Sequence, residues 1–255
     1  MPYFERTGAA SYTPTAHVGG AWATDEQHVA PALGLVTHLV EADLRARRDD
    51  DLRVTRLSFD ILGVLPMEEV EVAVRVLRPG RTIELVEATL SHAGRPAVLL
   101  RAWLQSVRDT SSVTGGDLPG VPGPDEVPAW DGTEVWPGGF IASAEIRRRQ
   151  ERPGRALSWV RTAVPLLDEP VSPTAALAGL VDVTNGLTVR EDPRRVAFPN
   201  LDLTVHLVRS PEPGWTGFDT TVTFGPDGHG LTSSVLHDER GPLGTAAQTL
   251  TVRPA

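Results

Sequence analysis

Hydrophobic and polar positions change period along the chain, and the changes mark its elements. From Ala30 to Arg48 the apolar residues Leu33, Val36, Leu39, Val40 and Leu44 recur at spacings of three and four, which predicts an amphipathic helix. After the acidic run Asp49–Asp51 the period falls to two. Glu69–Leu77 (EVEVAVRVL) alternates cleanly; Val54–Val64, Arg81–His92 and Ala97–Trp103 read as further strands, with turns at Pro79-Gly80 and Gly94. A second helix is predicted over Thr174–Thr184. Ser172 is placed to cap it, Pro173 lies near its first turn and Asn185-Gly186 ends it. Strands are predicted at Phe198–Val208, Trp215–Phe224, Gly230–His237 and Thr245–Val252, with a turn at Gly225–Gly228.

The same order therefore occurs twice: one helix, then about four strands. Between the two runs, Thr114–Gly139 holds 7 Gly and 5 Pro in 26 residues, a composition that supports neither a regular helix nor a central strand. This divides the chain into a first repeat (1–113), a Pro/Gly-rich linker (114–139) and a second repeat (140–255). RLSFDILGVLP (Arg56–Pro66) matches NLDLTVHLVRSP (Asn200–Pro211), and LSHAGRPAVLLRAWL (Leu90–Leu104) matches LHDERGPLGTAAQTL (Leu236–Leu250). A helix laid on an antiparallel sheet is an α+β layer. A half-sized layer with one bare sheet face needs a partner, and the other repeat supplies one.

Composition narrows the chemistry. The 255 residues carry a net charge of -9, a poor balance for nucleic acid or anionic membrane. All 24 basic residues are arginine, so a Schiff-base lysine is excluded; the absence of cysteine excludes thiolate metal sites, disulfides and a cysteine nucleophile. The seven histidines lack metal-ligand spacing, and no G-x-S-x-G or dinucleotide fingerprint occurs. No metal or organic cofactor is expected. The first residues do not read as a signal peptide, and no apolar run is long enough to span a membrane, so a cytoplasmic protein is expected.

What remains is polar residues set in apolar strands. In Asn200–Leu207, Leu201, Leu203, Val205 and Leu207 alternate with Asn200, Asp202, Thr204 and His206. Asp219, Thr221 and Thr223 share one face of the next strand. Gln248 shares a face with Ala246, Leu250 and Val252, and a buried amide there needs partners, a carboxylate or a water.

The duplicated pattern, with FPNLDLTVHLVR (Phe198–Arg209), DTTVTFGPDGHGLTSSVLHDERG (Asp219–Gly241) and GTAAQTLTVRP (Gly244–Pro254), resembles the double-hotdog acyl-CoA thioesterases of the thioesterase II type. The resemblance implies a tandem hotdog fold, each repeat a long helix wrapped by an antiparallel sheet. It also implies hydrolysis of an acyl-CoA or related thioester by a water held by an aspartate, a threonine and a glutamine. By position these are Asp202, Thr223 and Gln248, with Thr220 and Thr221 close competitors for the threonine. Ser58 stands opposite Asp202 in the first repeat, which implies one site per chain. Backbone N–H groups near Ala30 to Leu33 would meet the oxyanion, although Ala30 stands where related sequences carry glycine. A homo-oligomer is expected from the sheet faces and edges. The alternatives are an acyl-thioester-binding protein with weak turnover and a hotdog hydratase. The hydratase is disfavoured because Asp202 and His206 lie too far apart along one strand for a dyad.

Overall fold

The computed structural model describes residues 1–20 and 22–254. The first repeat begins with two short strands, β1 (Phe4–Arg6) and β2 (Ser11–Pro14). The helix α1 (Val29–Arg47) follows, and then β3 (Leu52–Ile61), β4 (Val70–Arg78), β5 (Ile83–His92) and β6 (Arg95–Ser106). The predicted helix is present, shifted one residue towards the N-terminus. Every residue from Ala30 to His38 is buried, so the first half of α1 is enclosed on all sides rather than along one stripe.

The chain then runs through the short helix α2 (Gly139–Ala142) into β7 (Ala144–Arg152) and β8 (Arg155–Thr162). Neither strand was legible beforehand: β7 reads AEIRRRQER, nearly all charged, and β8 is buried on both faces and so does not alternate. The second helical segment is shorter than expected. Ser172 caps α3 (Pro173–Ala178) by accepting from Ala175 N–H, and a break at Gly179 is followed by a 3-10 turn over Val181–Val183 and α4 (Thr184–Leu187). Asn185-Gly186 lies inside α4 rather than ending the helix. Then come β9 (Val196–Ala197), β10 (Asp202–Leu207), β11 (Thr216–Phe224), β12 (His229–Asp238), β13 (Gly241–Thr251) and β14 (Arg253–Pro254), which pairs with β9.

Twelve strands form one antiparallel sheet in the order β1-β2-β4-β5-β6-β3-β10-β13-β12-β11-β8-β7. Reading outward from the central β3–β10 pair, the two halves match strand for strand. β3 and β10 pair antiparallel, with Phe59 opposite Leu203, so the repeats are joined by ladder hydrogen bonds as well as by packing. This is the α+β tandem hotdog expected from the sequence.

The helices meet where Gly34 of α1 faces Gly179. A Cβ on Gly34 would stand 2.9 Å from Gly179 Cα and 3.1 Å from the Ala175 carbonyl oxygen, all backbone that cannot swing aside. At this point the two helix backbones are in direct contact. Gly34→Val is therefore expected to lower stability by about 1–3 kcal/mol or more through overpacking, read as a lower urea midpoint.

The Pro/Gly-rich segment is fastened to the second repeat. Trp159 Nε1–H donates to the Pro122 carbonyl, Trp130 N–H to that of Ile146, and Trp136 Nε1–H to that of Gly186. Val127 packs with Leu157, Trp159 and Trp215 on the outer sheet face, which explains why β8 has no solvated side.

Candidate active site

The break between α3 and α4 determines the site. Gly179-Leu180-Val181-Asp182 repeats Gly34-Leu35-Val36-Thr37 of α1, and the two glycines are in contact. In the first repeat Thr37 turns its hydroxyl back to the Leu33 carbonyl. In the second, the position holds Asp182, a carboxyl buried to 5% exposure with no cationic side chain bonded to it among the described residues.

Asp182 is held by two amides. Asn200 Nδ2–H donates to its Oδ1 at 2.7 Å and Gln248 Nε2–H to the same oxygen at 3.0 Å. Gln248 is itself oriented: Thr184 Oγ1–H donates to its Oε1 at 2.8 Å, so the amide NH2 must face the carboxyl. The buried glutamine of β13 thus has the partner that its burial requires, and the partner is a carboxylate. No protein group among the described residues donates to Asp182 Oδ2. That oxygen is not sealed in the core, because Asp182 lines a cavity of about 400 Å3. Burial pushes the Asp182 carboxyl up to about 7, with the Asn200 and Gln248 hydrogen bonds opposing the shift.

The expected trio is not assembled. Gln248 is on the inner face of the sheet, 1% exposed. Asp202 lies at the start of β10, where its Oδ1 accepts from Thr249 N–H at 2.6 Å and its register partner is Asp60. Thr223 and Thr221 are both exposed on the outer face, opposite Leu231 and Ser233. Thr220, between them and Thr216 in that strand, is buried and bonds Ser234.

The reason lies in residues 198–201. The predicted alternation breaks there: Leu201 is 51% exposed, whereas Leu203 and Val205 are buried. The strand starts only at Asp202, and Asn200, held beside Leu250 by an isolated bridge, turns its amide inward to Asp182. A sequence signal for Asp182 existed in the GLVT/GLVD pair, which puts a carboxyl at a core position of a helix aligned with α1.

The cavity lies between the repeats. The first repeat contributes His28, Val29 and the loop Ile61–Leu65; the second contributes Asp182, Asn185, Asn200 and Leu201. One wall is aromatic: Trp22 stands edge-on to Trp136 and Phe198, with ring centroids 4.9 and 5.3 Å away. Leu62, Val64, Leu201 and Trp22 leave an exposed apolar rim around the opening, and Arg253 adds a cation. The site thus offers a carboxyl that changes charge near neutral pH, fixed amides behind it and an apolar wall in front.

Two domains of one family match in tandem. Residues 18–105 match the acyl-CoA thioesterase N-terminal domain, and residues 117–252 match the acyl-CoA thioesterase C-terminal domain. The chain belongs to the acyl-CoA thioesterase family. It is a thioester hydrolase. Solved structures share the fold from end to end. The acyl-CoA thioesterase II TesB2 of Mycobacterium marinum is 18% identical, with 99% of this chain and 95% of that one covered at a TM-score of 0.70. A protein of unknown function with a hot dog fold from Alicyclobacillus acidocaldarius is 17% identical, with 98% and 96% covered at 0.75. The tesB protein of Mycobacterium avium subsp. paratuberculosis is 16% identical, with 98% and 96% covered at 0.68. A search of curated proteins finds no match. Among the described residues no helix of this thioesterase is long and apolar enough to cross a membrane.

Proposed function

We propose that the chain hydrolyses an acyl-CoA or closely related acyl thioester with a water activated by Asp182. The observation that carries this reading is the buried carboxyl clamped at Oδ1 by Asn200 and Gln248, with Oδ2 left to the cavity. A water bonded to Oδ2 loses a proton to Asp182 as its oxygen attacks the thioester carbonyl. The tetrahedral intermediate then expels the thiolate, which takes the proton back from Asp182, giving free acid and thiol. No acyl-enzyme intermediate forms. The two amides keep the carboxyl in one orientation, so the water is met in an attacking position. Thr184 is a positioning residue acting through Gln248. The site residues are thus Asp182, Asn200 and Gln248; Gln248 is retained from the sequence reading, while Asp202 and Thr223 are replaced.

The apolar rim and aromatic wall favour an acyl group lying against Trp22, Leu62, Val64 and Leu201, which line the same cavity as Asp182. Arg253 at the opening suits a CoA phosphate. The test is release of thiol from a panel of acyl-CoA esters, short to long, branched and aromatic. Wild-type turnover on at least one is expected. Asp202→Asn is expected to keep kcat within about threefold of wild type, since its carboxylate only accepts a backbone N–H at an outer position; a hundredfold loss there would return the catalytic role to Asp202. Assembly into a homodimer or higher oligomer belongs to the same reading, and light scattering would show it as at least twice the chain mass.

A further inference from the structure

Charge developing on the thioester oxygen needs hydrogen-bond donors, and in a hotdog-type helix the first-turn N–H groups would supply them. The start of α1 withholds most of these. Pro31, the third helical residue, has no N–H. The Ala30 N–H donates to His28 Nδ1 at 3.1 Å, because His28 is the N-cap. Beyond the first turn, N–H groups are committed to the helix ladder. Of the donors expected near Ala30 to Leu33, the backbone leaves only the neighbouring Val29 N–H.

The cap that removes the Ala30 donor creates another. Since Nδ1 accepts a hydrogen bond, the neutral ring carries its proton on Nε2. Burial keeps the ring neutral, holding its pKa down at about 3. The ring rests against Phe140, 4.4 Å between centroids, which fixes its plane. His28 lines the same cavity as Asp182, from the opposite repeat. No described protein atom accepts from Nε2, and Nε2 is not among the polar atoms sealed in the core.

We propose that His28 is a catalytic residue whose Nε2–H, together with the Val29 N–H, binds the thioester carbonyl oxygen and then the oxyanion. The proposal rests on the Asp182 reading and deepens it: the first repeat supplies the electrophilic donor and the second the base, so each repeat is incomplete alone. A ring that stays neutral donates without surrendering its proton; when the C–S bond breaks, the oxyanion's electron pair re-forms the C=O bond and the charge leaves on the thiolate sulfur.

The test separates the cap from the donor. Asparagine and serine are both strong N-caps, so His28→Asn and His28→Ser keep a side-chain acceptor for Ala30 N–H but lack a group reaching the position of Nε2. Expected for both is a melting temperature close to wild type, a kcat about 10²–10³-fold lower and a KM changed by less than about threefold. If one variant fails to fold, the other serves. Wild-type kcat in either folded variant overturns the proposal, as does a loss confined to KM. Wild type and Asp182→Asn are assayed alongside. No turnover in wild type, or full turnover in Asp182→Asn, refutes the hydrolytic reading instead; an active wild type, a dead Asp182→Asn and an unaffected His28→Asn refute only the role of His28.

Discussion

Asp182→Asn is expected to lower kcat by about 10²–10⁴-fold and, at pH 8, to raise the melting temperature. The two effects have one origin. Asparagine has the shape of aspartate and keeps an oxygen for the amides of Asn200 and Gln248, so the fold has no reason to move. What disappears is the ability to take a proton from water, and with it a buried charge. Burial raises the Asp182 carboxyl from an ordinary carboxylate value to about 7 in the folded chain. The folded state thus holds its proton more tightly than the unfolded one. A raised aspartate costs nothing below about pH 4, where it is protonated in both states. The penalty grows as pH rises from about 4 to about 7 and is constant above, at on the order of 4 kcal/mol for a shift of roughly three units. The stabilisation in Asp182→Asn should follow that course, large at pH 8 and vanishing towards pH 4, as read by thermal melts across pH. Lower kcat with lower stability at pH 8 would mean that the carboxylate is structural.

The second large effect concerns pH and Gln248. Only ionised Asp182 accepts the water proton, so wild-type kcat should rise through about pH 7 and level off above it. Gln248 holds the ionised form by donating to Oδ1. Gln248→Leu removes that donor and leaves the Thr184 hydroxyl without its acceptor. The limb of the pH profile should then move above 7, and the deficit in kcat relative to wild type should be largest below pH 7, where the carboxyl is mostly protonated in both proteins, and narrow by pH 9. A side chain that served packing alone would lower stability by about 1–3 kcal/mol and leave the limb in place. Asn200→Leu removes the other donor to the same oxygen and provides the same comparison.

The sequence by itself determined the duplication, the boundaries of α1 to within one residue, and most strands of the two meanders. These features are local: apolar spacing sets the face that is buried, and Gly/Pro clusters stop an element wherever they occur. Gln248 was legible for the same reason, since an amide at an inward position of an alternating strand requires a partner. Its partner was not legible. Asp182 lies in a short apolar helical stretch, 66 residues away in sequence, and reads as an ordinary polar position until α3 is laid against α1 and Gly179 meets Gly34. Asp202 was the more visible carboxylate because it sits inside a strand motif, but a strand pattern does not show where the strand begins. The departure from alternation at residues 199–201 turns Asn200 inward and leaves Asp202 bonded to a backbone N–H. β7 and β8 were hidden by tertiary context, one carrying charge along a sheet edge and the other covered by the chain that precedes it. The residues of the proposed site come from four separate segments, and only packing of the two repeats brings His28, Asp182, Asn200 and Gln248 to one cavity and its back wall, because burial and hydrogen-bond partnership are properties of the assembled layers rather than of any one of them.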